Sequence, residues 1–430
     1  MDLINYLEIT NHYFKQKIQM QLDLNFIRSQ FPIFQTDLGQ EIAFFDNAGG
    51  SFPAMQVVNR LTDFYKNYKI QPYGPNALGT KAGDAMDLGR YTMAKLLNVS
   101  IDEMTIGASA TQNLNTLAIA CNSIVTKGSE VIVTEQDHEA NIGGWERLCK
   151  QQNALLKTWK VQQESGELLL DDLEKLLTPQ TKILCITHSS NIIGTMNPIN
   201  QIADLVRPMG IRLIVDGVSF APHEFPNLDE LKCDAYVFST YKTYGTHQGI
   251  MIVLPDFLEE LNPQSHFFNE STLYKRLDSA GPNHASIAAL AGIGDYFEAT
   301  YDHHFSNKDL PLHEKTRKVS HLMNAHENKL CSHLLENIQE LPLRIFGKKT
   351  MEGREANISL KADNVSSKTI MDGLAKLDIA VKHGHFYAYR LMQAMKVADL
   401  NDGILRISFS HYNSMEEVER CVDGLKKLIV

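Results

Sequence analysis

An acid that closes one apolar run and a lysine that closes the next are the strongest chemical signal in this chain. Leu213-Ile214-Val215-Asp216-Gly217 ends on a carboxylate, and Val237-Phe238-Ser239-Thr240-Tyr241-Lys242-Thr243-Tyr244-Gly245 carries an amine just past its apolar part. Pyridoxal phosphate requires that pair, a carboxylate for the pyridine nitrogen and an amine for the aldehyde. Either half alone is ordinary turn chemistry, since Asp-Gly and Lys-Thr-Tyr-Gly recur in solvated loops. Order and local pattern favour the site. Ile211 to Val215 and Ala235 to Phe238 are short, β-rich runs of buried-strand type, so both polar groups fall at carboxyl ends of strands. Open α/β sheets bind ligands at that edge.

Other segments reach the same edge. Thr105-Ile106-Gly107-Ala108-Ser109-Ala110-Thr111-Gln112-Asn113 leaves a strand through small residues and enters a helix, so backbone amides and the positive helix end can hold a phosphate. Read alone, it is also a strand-to-helix turn capped by Ser109 or Thr111. Glu135-Gln136-Asp137-His138-Glu139-Ala140-Asn141 follows a further strand and brings His138, either a ring-stacking imidazole or simple filler. Arg406 sits among apolar residues in Ile404-Leu405-Arg406-Ile407-Ser408. Its fork suits a substrate carboxylate or a structural salt bridge.

The elements that must position these groups alternate. Helical patterns near Met55 to Tyr68, Gly83 to Leu97, Thr111 to Ile124, Ile142 to Gln152, Leu170 to Leu177 and Ile199 to Met209 interleave with strands. The strands fall near Met104 to Ile106, Glu130 to Thr134, Leu155 to Val161, Ile183 to Thr187, Leu213 to Asp216 and Ala235 to Ser239. Gly249 to Leu254 is expected as an antiparallel or edge strand. This is the pattern of an α/β protein with a mostly parallel sheet between helices. Beyond a helical region, strands near Leu343 to Phe346, Ala356 to Leu360 and Ile404 to Ser408 mix with helices near Ser367 to Leu377 and Met415 to Val430, as in a smaller α+β domain. The expected division is an N-terminal segment 1–52 contributing to the small domain and active-site mouth, a large cofactor-binding α/β domain 53–305, and a small domain 306–430.

With 430 residues, 43% of them hydrophobic, the chain can bury a sizeable core. Its formal net charge is −10 and no basic face is evident, which argues against nucleic acid as a partner. No apolar run approaches the roughly 20 residues of a membrane span, and Met1 to Gln21 is polar and aromatic and not signal-like. A soluble, cytoplasmic protein is expected, with no membrane partner. Cys121, Cys149, Cys185, Cys233, Cys331 and Cys421 lie far apart without a C-x-x-C pair, so neither zinc nor a disulfide framework is indicated. His383 and His385 lack a third ligand, and no metal is assigned.

Taken together, these segments resemble the class V aminotransferases, in particular their cysteine desulfurase-like branch, from about Asn25 to the end. Phe45-Asp46-Asn47-Ala48-Gly49-Gly50 is similar to that family's D-N-A-A, and Asp137 to Asn141 to its E-H-H-A-N. Ser190-Asn191-Ile192-Ile193-Gly194 is similar to S-N-V-L-G, Val215-Asp216-Gly217 to V-D-G-A-Q, and Ser239-Thr240-Tyr241-Lys242 to S-x-H-K. The resemblance implies the type I fold of pyridoxal phosphate-dependent transferases, with a seven-stranded sheet, and pyridoxal 5'-phosphate as cofactor. It implies that Lys242 forms the internal aldimine, Asp216 pairs with the pyridine nitrogen and His138 stacks on the ring. Ala110, Thr111, Ser239 and Tyr241 would hold the phosphate, Tyr241 replacing the usual histidine. Asn191 would lie near the phenolic oxygen or the substrate, and Ser219 stands where a glutamine usually supports that oxygen. Arg406, with the backbone at Ala48 and Gly49, would take the substrate carboxylate. A homodimer is implied, with Asp278 to His284 similar to the phosphate-touching A-G-T-P-N stretch.

The departure lies at Val381-Lys382-His383-Gly384-His385-Phe386-Tyr387-Ala388-Tyr389-Arg390-Leu391, which resembles R-x-G-H-H-C-A-Q-P-L with Tyr387 in place of the nucleophilic cysteine. Persulfide chemistry needs a thiolate on that loop. His385 and Tyr387 are expected on the substrate side, Tyr387 as an acid, a substrate contact or a packing aromatic. The expected activity is therefore a C–S or C–Se lyase on a small cysteine-like amino acid, through an external aldimine and a quinonoid. The alternatives are an aminotransferase or epimerase on the same fold, and a catalytically reduced sulfur-transfer or binding protein.

Overall fold

The structure is a computed structural model and describes residues 21–430. Residues 1–20, which hold all but the last residue of the Met1 to Gln21 stretch and the start of segment 1–52, lie outside the described residues. The strands are β1 (Ala43–Phe44), β2 (Met104–Gly107), β3 (Glu130–Thr134), β4 (Leu155–Trp159), β5 (Thr181–Thr187), β6 (Arg212–Asp216), β7 (Ala235–Ser239), β8 (Gly249–Val253), β9 (Leu343–Phe346), β10 (Asn357–Ala362), β11 (Ile379–Ala380), β12 (Lys382–Gly384) and β13 (Ile404–Ser408).

Side chains alternate across the main sheet as the two-residue strand period requires. Val131, Val133, Ile183, Cys185, Ile214, Val237 and Met251 enter one core. Ile132, Leu184, Ile186, Leu213, Val215 and Phe238 enter the other. Helices Ala110–Ala120 and Gly143–Gln152 cover the first face; Met55–Asn67, Ala77–Leu97 and Ile199–Val206 help to cover the second. Because both faces are covered, every residue of β7 and β8 is buried, and those strands read as unbroken apolar runs.

The seven strands stand in the order β2-β8-β7-β6-β5-β3-β4. All are parallel except β8, which is antiparallel to both β2 and β7. It is thus an interior strand and not an edge. A tight return after Lys242, with Thr240 N–H donating to the Gln248 carbonyl at 2.9 Å, leaves the chain beside β7 and pointing back. The other strands share one carboxyl edge, which receives the loops after Gly107, Thr134, Thr187, Asp216 and Ser239.

Helix Ala77–Leu97 begins earlier than the expected Gly83, because the Asn76 side chain accepts from the N–H groups of Leu78 and Gly79. Its glycines are there for packing: a Cβ on Gly89 would lie 2.0 Å from the Ile287 carbonyl oxygen. Gly249 has a similar role at the edge, where an added Cβ would meet the Ser109 carbonyl carbon at 2.3 Å and the Ala110 nitrogen at 2.4 Å. Gly249→Ala is therefore expected to push the start of helix Ala110–Ala120 away from β8. The expected cost is about 1–3 kcal/mol of stability, together with weaker retention of cofactor, read by thermal melting and equilibrium dialysis.

A second sheet, β12-β13-β10-β9, is antiparallel, and β1 pairs with β11 in parallel. Its own core contains Ile358, Leu360, Leu405, Ile407, Val418 and Leu425, joined by Ala43 and Phe45 from near the start of the chain. β1, β11 and β12 are too short to show a pattern in sequence. Helix Leu312–Ile338 enters the core on the second face of the main sheet through Val319 and Met323 and the core of the smaller sheet through Leu330, Leu334 and Ile338. One continuous helix thus links the two sheets. Among the described residues no helix is long and apolar enough to cross a membrane.

Candidate active site

The carboxyl edge of the main sheet opens into a cavity of about 260 Å³ lined by Ser109, Ala110, Thr111, His138, Thr187, Asn191, Asp216, Ser219, Ser239, Tyr241, Lys242 and His247, among others. Strand ends explain most of this set. β6 delivers Asp216, β7 delivers Ser239 and the following turn with Tyr241 and Lys242, and the loops after β2 and β3 deliver the helix start and His138.

Lys242 is 7% exposed. Burial and the Arg406 guanidinium push its amine down to about 8, against the opposing pull of Asp216 and Asp46. A lysine in that range is a usable nucleophile and base near neutrality. Asp216 is 4% exposed and burial raises its pKa, with the Val218 N–H and Lys242 acting the other way. Its Oδ1 accepts from Val218 N–H at 2.9 Å, and Oδ2 makes no hydrogen bond among the described residues. A buried carboxyl with one free oxygen facing the cavity is suited to a protonated heterocyclic nitrogen.

Burial, Lys242 and Arg406 lower His138 to about 4, so its ring is neutral at pH 7. Its Nδ1 accepts from Ala140 N–H at 3.0 Å, which leaves the proton on Nε2. Asp137 holds this loop. One carboxyl oxygen accepts from the Thr134 N–H and hydroxyl at 3.1 and 2.7 Å, the other from Asn141 Nδ2 at 3.0 Å.

At the other end of the cavity, Ser109 caps helix Ala110–Ala120 by accepting from Gln112 N–H at 3.1 Å. The amides of Ala110 and Thr111 open the helix, and Tyr241 stacks on His247 with centroids 4.6 Å apart and planes within 3°. Lysine, free carboxyl oxygen, neutral ring and helix start therefore fit the four parts of pyridoxal phosphate that a protein must hold: aldehyde, ring nitrogen, ring face and phosphate.

The substrate-side residues differ from expectation in several ways. Arg406 is not a free fork: Nη2 pairs with Asp46 at 3.1 Å, Nη1 donates to the Asn191 carbonyl at 3.1 Å, and the guanidinium lies 3.9 Å from the Phe386 ring centroid. Its Nε is buried without a partner among the described residues. Asp46 reaches Arg406 because the chain at Asp46 bridges to Ser408 on β13, a pairing across more than 350 residues that sequence reading missed. The Ala48 N–H already donates to Ser408 Oγ at 2.8 Å. Gly49 is exposed and does not line the cavity.

Tyr387 is 66% exposed and stands beside the cavity, its ring 5.2 Å from that of His138. His385 does not line the cavity; its Nδ1 accepts from Tyr387 N–H at 3.1 Å. Phe386 and Tyr387 both adopt left-handed backbone, φ +47° and +58°. Conformations of that kind cost about 1–2 kcal/mol each for residues with a Cβ. They are held by Asn191 Nδ2 donating to the Phe386 carbonyl, Glu139 N–H donating to the Tyr387 carbonyl (both 2.8 Å) and the Arg390–Glu139 ion pair at 2.9 Å. All six cysteines are buried, none forms a disulfide, and none lines the cavity. Burial raises their thiol pKa values, Cys149 to about 11.

Fold and cavity together define an α/β protein organised around a buried lysine that can carry an aldehyde cofactor. The family model for class-V aminotransferases matches residues 43–421. A relative called aminotransferase-like protein FGM3, from Gibberella zeae, is 31% identical over 414 residues, covering 94% of this chain and 98% of that protein. A probable cysteine desulfurase from Xylella fastidiosa is 28% identical, covering 94% of each. Among solved structures, a cysteine desulfurase from Thermococcus onnurineus NA1 superposes with a TM-score of 0.82 at 21% identity, over 96% of this chain and 99% of that one. The chain belongs to the class-V aminotransferase family, in its cysteine desulfurase-like branch, and is an enzyme whose cofactor is pyridoxal 5'-phosphate.

Proposed function

We propose that this enzyme is a lyase that breaks the Cβ–S or Cβ–Se bond of a cysteine-like amino acid. Pyridoxal phosphate, when bound, supplies the electron sink for a carbanion at the substrate's α-carbon. Lys242, its amine held near 8, would hold the cofactor's aldehyde and would serve as the base for the substrate's α-proton. Asp216, through its free Oδ2, would hold a proton on the ring nitrogen, and neutral His138 would cover the ring face. Arg406, oriented by Asp46, would donate to the substrate carboxylate.

The observation that carries the reading is the combination of this lysine and carboxylate with a cavity that no thiol lines. The position that resembles the desulfurase cysteine is Tyr387, whose hydroxyl cannot accept a sulfur atom as a persulfide. Elimination needs only Lys242 and an acid for the departing group, and Tyr387, beside His138, supports that second role. A panel of cysteine derivatives is expected to yield pyruvate, ammonia and the sulfur product in equal amounts without any added thiol. Amino-group exchange that depends on a keto acid, with no sulfur released, would show an aminotransferase instead.

A homodimer fits this reading, since Phe267 and Phe268 are 83% and 66% exposed in a single chain. Six unpaired cysteines support a reducing, cytoplasmic setting.

A further inference from the structure

Behind Lys242, beyond the cofactor cavity, lies a second chamber of about 20 Å³, lined by Lys242, Ser219, Ser189, His223, Glu355 and Asn357, among others. Lys242 and Ser219 line both spaces. The chamber has room for about one water molecule. Three of its lining residues each hold a polar atom, Ser189 Oγ, Glu355 Oε2 and Asn357 Oδ1, that is buried without a hydrogen-bond partner among the described residues. Their residues are 0%, 3% and 4% exposed. Buried acceptors of this kind call for a donor, and water is the donor that the size admits.

Nothing adjacent in the chain neutralises Glu355. Arg354 spends its donors on the carbonyls of Asn357, Phe346 and Lys348. His223 is the cation at hand, and it is bonded to Glu327 at 2.5 Å, which with Glu355 raises it to about 9. Burial raises Glu355 to about 7, against the pull of His223. The groups that face Glu355 are His223 and Glu224 from the loop after β6, Tyr236 of β7, Glu327 and Cys331 of helix Leu312–Ile338, and Lys242 across the chamber.

We propose that the chamber is a proton-exchange site for Lys242, in which one water seated by Ser189, Asn357 and Glu355 carries protons between Lys242 Nζ and the Glu355 carboxyl. The inference rests on the function proposed above, in which Lys242 collects a proton from carbon and must be neutral again for the next turnover. In the forward direction the Lys242 ammonium gives a proton to the water oxygen while the water gives one to Glu355 Oε2. Ammonium becomes amine, carboxylate becomes carboxylic acid, the water is unchanged, and the total charge of the chamber is constant. Glu355 acts through Lys242 and is a positioning residue.

The test is a pH titration of the visible absorbance of the lysine–cofactor linkage in the holoenzyme, wild type against Glu355→Gln. A carboxylate near the linkage nitrogen favours its protonated form. Its removal is therefore expected to lower the transition by about one pH unit. Glu355→Asp, which withdraws the acid by one methylene and keeps its charge, is expected to lower it by about half as much, so a misfolded glutamine variant leaves the question decidable. An unshifted transition in whichever variants fold overturns the proton-exchange site and leaves the cofactor site standing. A wild-type protein that forms no linkage absorbance overturns both.

Discussion

Lys242→Ala is expected to lower turnover by at least about 10⁴-fold and to eliminate the visible absorbance of the lysine–cofactor linkage. Two functions disappear together, the amine that holds the aldehyde and the base that takes the α-proton. The geometry offers no ready substitute, because of the cavity's other nitrogen bases His138 is held near 4 with its Nδ1 engaged by Ala140 N–H, and His247 is stacked on Tyr241. The fold is expected to survive, since removing a buried amine relieves desolvation and leaves the backbone bonds around Thr240 intact. Absorbance scans, cofactor retention after dialysis and a melting curve check the three parts. A variant that keeps the absorbance band would place the linkage on a different residue.

Asp216→Asn is expected to cost on the order of 10³-fold in kcat, the scale seen when one aimed electrostatic group is removed from a buried site. Asparagine preserves shape and can still accept from Val218 N–H at 2.9 Å, so packing is little changed. The free Oδ2 becomes an amide or a neutral oxygen, and neither holds a proton on the ring nitrogen. The linkage to Lys242 should still form, because the aldehyde end of the site is untouched. Bound cofactor with lost turnover is thus the expected signature. Activity above a tenth of wild type would remove Asp216 from the mechanism.

The cofactor half of the site was legible because it is built from strand ends. Asp216 closes β6, Lys242 follows β7, and Ser109 to Thr111 follow β2. A hydrophobic run fixes where its own end lies, and a parallel sheet gathers those ends at one edge. The substrate half was less legible. Arg406 was found as an arginine among apolar strand residues, but its partner Asp46 was not, since the bridge between Asp46 and Ser408 forms only when the two sheets assemble. The same holds for His223, Glu327 and Glu355, which no motif links. Tyr387 is visible in sequence as a replacement, yet its exposure follows from the two left-handed residues of its loop.

The sequence by itself determined the alternating architecture, the cofactor chemistry of Lys242 and Asp216, and the lack of a cysteine on the loop of Tyr387. Each depends on residue type and on spacing within a few dozen residues, where periodicity and turn chemistry act. Only the tertiary structure decided that β8 lies inside the sheet, that Arg406 is clamped by Asp46, and that a buried acid shares a chamber with Lys242. Those are contacts between segments far apart in the chain, and burial, which raises Glu355 and lowers Lys242, exists only once the segments have closed over one another.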